Sequence, residues 1–336
     1  MRWLVGLILA VVGLASLSEF TVPLQRYEAV EPHMGTLVRI TVYAPDEKAA
    51  RDALRAAFDR IAALDRTLSD YQADSELSRL PSTAVNQSVT VSEDLFAVLS
   101  ASQALAEATG GAFDVTQGPV VRLWREARRT RRLPDEAALA EARARSGFDK
   151  LRLDPAARTV TLATPRMALD VGAIGKGYAA SEAIEILTGQ GVSSALVAIS
   201  GDLAFSAAPP GRRGWRVGVH TLDASVTDVP SALDLTNAAV STSGSSEQYV
   251  DIGGRRYSHV IDPRTGEGLT HDVTVTVIAP NGLLADGLDT AISILGLERG
   301  FALLDRYPGA GVLVVEGRGG ETRVTASTHF HAFARQ

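Results

Sequence analysis

Residues 169–178 read LDVGAIGKGY, a glycine-rich segment that contains one lysine, Lys176. A strand-like piece at 159–162 precedes it, and a helical pattern at 179–187 follows it and closes at Gly189. Where a helix begins, backbone N–H groups point outward and favour an anion, usually a phosphate. Glycine permits close backbone approach, and Lys176 adds a positive charge. The segment therefore indicates either an anion site or a turn that simply requires small residues.

The glycine spacing differs from that of the known phosphate motifs. A P-loop has a glycine five residues before its Gly-Lys pair and a serine or threonine after it, but Asp170 and Gly177 hold those places. The dinucleotide order G-x-G-x-x-G is replaced by G-x-x-G-x-G. The glycine-rich segment alone therefore does not identify a ligand, and the function must be inferred together with other segments of the chain.

The composition excludes several classes of protein. The chain has 336 residues, enough for a sizeable core, and carries 33 basic against 39 acidic residues. A mildly acidic chain without a basic cluster is a poor nucleic-acid binder, so we expect no such partner. The absence of cysteine excludes disulfides, thiolate metal sites, cysteine nucleophiles and the usual lipoprotein anchor.

The N-terminus predicts export. Arg2 precedes an apolar run at 3–14, and small residues follow at 15–18. The run is short for a membrane span and is typical of a signal peptide, with an uncleaved anchor as the alternative. We therefore interpret 1–18 as a signal peptide or N-terminal anchor, the only part that contacts a membrane. The predicted location is periplasmic or otherwise extracytoplasmic, either free or anchored to the inner membrane.

Strands and helices alternate without a regular βαβ order, which predicts an α+β fold in one large mixed domain over 28–330. Apolar residues at helical spacing predict a helix at 47–68, and a polar loop is expected at 69–80. Alternation predicts a strand at 270–278. Further helices are predicted at 92–108, 135–145, 283–297 and 298–305, and further strands at 27–44 (a broken pair), 150–153, 158–163, 194–199, 215–220, 234–241, 247–252, 311–316 and 321–327.

Asp286 and Thr290 stand four residues apart on a predicted helix and therefore share one face. A carboxylate and a hydroxyl are hard oxygen ligands, suited to a Mg²⁺ ion that holds phosphates. The alternative is that Asp286 is an exposed first-turn residue favoured by the helix dipole and that Thr290 belongs to the core.

His259 lies in the segment YSHVIDPRTG, residues 257–266, at the end of a predicted strand. An imidazole there can serve as a general base or can be purely structural. His329 and His331 lack nearby ligands and do not indicate a zinc site. The hydroxyl-rich turn at 241–246 lacks the G-x-S-x-G pattern of serine hydrolases.

Together these segments resemble the ApbE family, the FAD:protein FMN transferases. The matching pieces occur in the family's order, and they are MGT at 34–36, the L-S-x-Y-x-x-x-S-E-L-S-x-L pattern at 68–80, GAFDVT at 111–116, the glycine-rich segment from Asp170, SGD at 200–202, TSG at 242–244, HVIDPRTG at 259–266 and DGLDT at 286–290. Departures from the family pattern include Gly172-Ala173, Ser200-Gly201, Ser181 and Val115. These changes are small and put affinity in question more than fold.

The resemblance implies that FAD is bound with Mg²⁺ on its pyrophosphate and that FMN is transferred to a threonine hydroxyl of an acceptor protein, with AMP leaving. It implies that His259 is the catalytic base, and that Ala173 (through its carbonyl), Asp286, Asp289 and Thr290 hold the metal. The FAD-binding residues it implies are Met34, Tyr71, Ala112, Phe113, Asp114, Asp170, Lys176, Gly201, Asp202, His259 and Val260. The implied acceptor is a domain of an exported or membrane redox complex.

Two other functions are compatible with the sequence. An FAD pyrophosphatase would use water in place of the acceptor threonine and give FMN and AMP. A non-catalytic exported protein would only hold FAD. The charged segment at 125–132 is either a docking surface or a solvated helix.

Overall fold

The largest element of the fold is an antiparallel sheet of eight strands. The computed structural model describes residues 23–219, 229–244, 248–318 and 321–333, so the predicted signal segment lies outside the described residues. The strands are β1 Gln25–His33, β2 Thr36–Ala44, β3 Val89–Thr90, β4 Leu151–Asp154, β5 Thr159–Leu162, β6 Ser194–Ile199, β7 Asp202–Phe205, β8 Trp215–Gly218, β9 Ala232–Leu235, β10 Ala238–Gly244, β11 Tyr249–Ile252, β12 Arg255–Ser258, β13 Ile261–Asp262, β14 Glu267–Gly268, β15 Asp272–Ala279, β16 Gly311–Arg318 and β17 Glu321–Ala326. The large sheet has the order β1-β2-β6-β7-β10-β15-β16-β17.

Helices connect and cover these strands. They are α1 Glu47–Leu68, α2 Glu76–Thr83, α3 Glu93–Thr109, α4 Gly118–Thr130, α5 Glu136–Arg145, α6 Gly175–Gly189, α7 Gly282–Leu295, α8 Leu297–Leu303 and α9 Thr328–Phe333, with short 3-10 turns at Phe148–Lys150 and Leu304–Arg306. The single mixed α+β domain expected from the sequence is confirmed.

Both faces of the large sheet are buried, because neighbouring residues of a strand point to opposite sides. On β10, Ala239 belongs to the main core, which also contains residues of α1, α6 and α7. Its neighbour Val240 packs on the other face with Trp215 and Phe330. Helices α6 and α7 therefore lie together on one face of the sheet, and the active-site candidates on them are brought side by side.

Two local predictions are wrong. The expected loop at 69–80 ends in helix α2, in which Ser75 accepts a hydrogen bond from the Ser78 N–H and Leu77 is buried. The polar composition of this segment is typical of a loop, but it includes Ser75, the N-cap of α2. The expected strand at 234–241 is two strands, β9 and β10, because Asn237 between them has φ 46°, a left-handed conformation that interrupts a strand.

Helices α6 and α7 cross at two glycines. A Cβ added to Gly177 would stand 2.0 Å from the carbonyl oxygen of Gly282. Ser181, one of the departures from the family pattern, accepts a hydrogen bond of 2.7 Å from the Gly282 N–H at the same crossing. The crossing requires a residue without a side chain at 177, and it sets the distance between Lys176 and the acidic residues of α7.

We expect Gly177→Ala to lower the free energy of unfolding by about 3 kcal/mol, since the added methyl meets backbone that cannot move aside. Gly189→Ala is the matched control, because its Cβ would meet nothing within 4 Å at the end of the same helix. That control should gain a few tenths of a kcal/mol from helix propensity. Urea unfolding followed by circular dichroism measures both. Equal stability of the two variants would contradict the close crossing.

Candidate active site

A cavity of about 360 Å³ lies where the start of α6, the helix α7 and the strand β10 meet. Its wall contains every site residue expected from the sequence except Met34 and Tyr71, namely Ala112, Phe113, Asp114, Asp170, Ala173, Lys176, Gly201, Asp202, His259, Val260, Asp286, Asp289 and Thr290. Segments far apart in the chain thus form one concave site of the size usual for ligand pockets.

Lys176 pairs with acidic residues at the base of this cavity. Its Nζ donates a hydrogen bond of 2.7 Å to Asp202 Oδ2 and lies 3.7 Å from Asp286 Oδ2. Asp286 Oδ2 also accepts a hydrogen bond of 3.0 Å from the Gly177 N–H. Burial opposes the charge of Lys176, but the carboxylates of Asp286 and Asp202 raise its pKa, so the lysine stays protonated.

Ser241 links two of the buried carboxylates. Its Oγ lies 2.6 Å from Asp202 Oδ1 and 2.6 Å from Asp289 Oδ2. A hydroxyl has one proton to donate, so one of these contacts needs a proton on the carboxylate. The sequence does not single out this serine, because it precedes the TSG motif at 242–244 and no spacing rule relates it to Asp202 or Asp289.

The acidic cluster holds more negative charge than its lysine balances. Burial raises the pKa of Asp286 to about 7, helped by the charge of Asp202 and opposed by Lys176. Burial, with the charges of Asp286 and Asp202, raises the pKa of Asp289 well above its usual range. The alternative of an exposed Asp286 is wrong, because this residue is only 3% exposed.

The chemistry of the cluster fits a hard divalent cation. Asp286, Asp289 and Thr290 place two carboxylates and a hydroxyl on the cavity wall beside Ala173, and Mg²⁺ prefers such oxygen ligands. Thr290 donates a hydrogen bond of 3.1 Å to Asp289 Oδ1. Within the described parts of the chain, no group of three or more His, Cys, Asp or Glu side chains is placed to hold a metal ion. The expected Mg²⁺ ligands do not require three such side chains, because the Ala173 carbonyl and the Thr290 hydroxyl would complete the set with Asp286 and Asp289.

His259 follows strand β12 and faces the same cavity. Its Nδ1 lies 3.1 Å from the carbonyl oxygen of Gln248. A carbonyl only accepts, so Nδ1 carries the proton and Nε2 is left free to accept one. Burial lowers the pKa of His259, and the positive charges of Arg128 and Lys176 lower it further. The imidazole is therefore neutral at neutral pH, as a general base must be.

An ion-pair network joins the glycine-rich segment to helix α4. Arg125 pairs with Asp70 and donates a hydrogen bond of 2.8 Å to Asp170 Oδ2. Asp170 Oδ1 accepts a hydrogen bond of 2.8 Å from the Gly172 N–H. Burial, with the charge of Asp70, raises the pKa of Asp170, while Arg125 opposes the rise. The segment at 125–132 is thus helical for the most part but is not simply solvated.

Met34 and Tyr71 lie outside the cavity wall. The Met34 N–H and the Tyr71 hydroxyl each donate a hydrogen bond of 2.9 Å to the Asp65 carboxylate. The Tyr71 side chain is 57% exposed and follows Asp70, a member of the ion-pair network, in the chain. The structure therefore brings these two residues together near the network but does not place them with the acidic cluster.

Asp114 organises the turn between α3 and α4. It accepts hydrogen bonds from the N–H and hydroxyl of Thr116, at 2.8 and 2.7 Å, and one of 2.9 Å from Gln117 Nε2. Burial raises the pKa of Asp114. Its carboxylate therefore fixes the turn that follows Ala112 and Phe113 in the cavity wall.

The family model and the sequence relatives that match this chain all indicate the same family. The model of the ApbE family matches residues 34–314. An FAD:protein FMN transferase of Klebsiella pneumoniae is 34% identical over 306 residues, covering 89% of this chain and 87% of the relative. One of Treponema pallidum is 33% identical, with 87% and 84% covered.

Solved structures agree with the sequence relatives. The flavin transferase ApbE from Vibrio cholerae superposes with a TM-score of 0.83 at 28% identity, covering 93% of this chain and 100% of that one. The apo form of the flavinyl transferase ApbE of Pseudomonas stutzeri gives 0.81 at 29% identity, with 93% and 98% covered.

A mixed domain of this topology, with an acidic cavity at the crossing of two helices, places the protein in the class of flavin transferases. The family model covers most of the chain. The chain belongs to the ApbE family, and the resemblance found in its motifs is confirmed.

Proposed function

We propose that this enzyme transfers FMN from FAD to a threonine hydroxyl of an acceptor protein, with Mg²⁺ bound in the acidic cluster. The observation that carries the proposal is that a neutral histidine and a cluster of buried oxygen ligands line one cavity. The threonine Oγ bonds to the phosphorus on the FMN side. The bond from that phosphorus to the oxygen bridging to AMP breaks, and AMP leaves.

His259 takes the proton of the threonine hydroxyl at Nε2, because Nδ1 is held by Gln248. Such a base makes a weak hydroxyl nucleophile reactive. Mg²⁺, held by the carbonyl of Ala173 with Asp286, Asp289 and Thr290, would supply charge neutralisation at the pyrophosphate. Transfer of this kind depends mainly on positioning and charge neutralisation.

The flavin nucleotide is proposed to contact the cavity wall formed by Ala112, Phe113, Gly201 and Val260. Met34 and Tyr71 are proposed to cover a ring of FAD that extends beyond the cavity toward the Arg125 network. A flat tyrosine and a soft methionine suit an aromatic ring.

The acceptor is proposed to be a domain of an exported or membrane redox complex, and the enzyme to act outside the cytoplasm. The support is the signal-like composition of 1–18. Among the described helices, none has the length and apolar character needed to span a bilayer.

We expect the purified protein, FAD, Mg²⁺ and a threonine-bearing acceptor domain to give a fluorescent flavin band on the denatured acceptor, with AMP released. EDTA should abolish the band, and an acceptor with its threonine changed to alanine should stay dark. If FMN and AMP accumulate equally without acceptor, the enzyme is an FAD pyrophosphatase. If FAD stays bound and intact, the proposed reaction is wrong.

A further inference from the structure

Three permanently charged cations line the described wall of the cavity, and two of them are already neutralised by the protein. Lys176 is bonded to Asp202 and lies close to Asp286. Arg125 is paired with Asp70 and Asp170. Neither of these cations is free to give its full charge to a ligand.

Arg128 is the third cation and differs from the other two. It is half-buried on α4, three residues after Arg125 and on the same helix face. Its guanidinium makes no hydrogen bond or contact ion pair with any residue that the structure describes. Asp170 attracts it from a longer distance but is bonded to Arg125.

Partial burial of an unpaired guanidinium costs free energy unless a ligand supplies the opposite charge. The planar guanidinium fork matches the oxygens of a phosphate better than an ammonium does. The charged groups of FAD are its two phosphates, so a phosphate is the counter-ion that this cavity would receive.

Arg128 shares the cavity wall with His259, and this favours one of the two phosphates. His259 lines the same cavity, and the charge of Arg128 acts on its imidazole. In the proposed reaction His259 stands beside the threonine hydroxyl, which attacks the phosphorus on the FMN side. The phosphate that we assign to Arg128 is therefore the one that is transferred.

We propose that Arg128 binds the non-bridging oxygens of the FMN phosphate and stabilises the charge that develops there during transfer. This inference rests on the proposed function for the choice of phosphate. Donors aimed at the developing charge in a water-poor site are among the largest contributions to catalysis. Arg128 would then be a catalytic residue that lies outside the motifs shared with the family.

The test compares Arg128→Ala with Arg129→Ala. Arg129 is exposed on the same helix, pairs with Glu126 and does not line the cavity, so its loss controls for a missing surface charge. Dissociation constants for FAD, FMN and riboflavin are measured by quenching of flavin fluorescence, without acceptor. Transfer rates are measured with saturating FAD and acceptor.

We expect Arg128→Ala to weaken FAD and FMN binding about tenfold, to leave riboflavin binding unchanged, and to lower the transfer rate about a hundredfold or more. Arg128→Lys should recover part of the binding and little of the rate, since a lysine restores the charge but not the fork. Arg129→Ala should match the wild type.

Three outcomes would overturn the inference. Equal losses for riboflavin and FAD would mean that Arg128 only supports the wall. Unchanged FAD binding with a raised KM for the acceptor would assign Arg128 to the partner protein. Unchanged binding and rate would leave it no role. The binding arm needs no acceptor, so it still decides the role of Arg128 if wild-type transfer fails and the proposed function is wrong.

Discussion

Asp286→Asn is expected to lower Mg²⁺-dependent FMN transfer by at least about a hundredfold, because it removes a charged oxygen from the centre of the buried cluster. The carboxylate accepts the Gly177 N–H and lies 3.7 Å from Lys176 Nζ. An asparagine of the same size keeps the packing but not the charge. The proposed cation would then lose a ligand, and Lys176 would lose one of its two partners.

Initial rates of acceptor labelling over a range of Mg²⁺ concentrations measure this effect, with Mg²⁺ binding by calorimetry as a second readout. Asp305→Asn is the matched control, since Asp305 is exposed in a 3-10 turn and is not part of the cavity wall. Its rate should equal that of the wild type. A folded Asp286→Asn variant with the wild-type rate and Mg²⁺ affinity would show that the metal is misassigned.

His259→Gln is expected to lower the transfer rate by about 10²- to 10⁴-fold at neutral pH, the usual contribution of a general base. It should also change the pH profile. The neutral imidazole is the active form, and burial lowers its pKa below the ordinary 6.5. When Mg²⁺ is saturating and keeps the carboxylates of its site deprotonated, wild-type transfer should be constant through neutral pH and fall as the pH drops below 6.5 through the lowered pKa of His259.

The variant should lack the acid limb that His259 causes, and its residual rate should be independent of pH in that range. His329→Gln is the control, because His329 is exposed on α9 and is not part of the cavity wall. Rates at saturating FAD and Mg²⁺, measured from pH 5 to 8, test this prediction. A variant with the full rate at neutral pH would remove His259 from the proton transfer.

Local signals in the chain predicted six of the nine described helices, but not α2, α4 or α9. The long helix α1 was predicted at its observed bounds, since its apolar residues repeat at helical spacing and its buried residues include Phe58 and Ile61. Helix α2 was missed because its cap and first turn are polar and are typical of a loop. The break at Asn237 was missed because it depends on one backbone conformation.

Only part of the candidate site could be predicted, because some of its residues stand in motifs and others meet only in the folded chain. Asp286 and His259 stand in motifs with recognisable order, so the sequence found them. Ser241 contacts Asp202 and Asp289 across 39 and 48 residues, and no spacing rule connects them. Arg128 stood in a charged run that did not distinguish it from its exposed neighbour Arg129.

The sequence by itself determined the family, the mixed fold class and thirteen of the residues on the cavity wall, because these depend on local periodicity and on motifs kept in order. Only the tertiary structure decided which charges are paired. Burial and contacts between distant segments raise the pKa of Asp286, neutralise Lys176 and Arg125, and leave the Arg128 guanidinium without a hydrogen-bond or ion-pair partner among the described residues. Electrostatic energies depend on distance and solvent exposure in three dimensions, and neither is encoded in the spacing of residues along the chain.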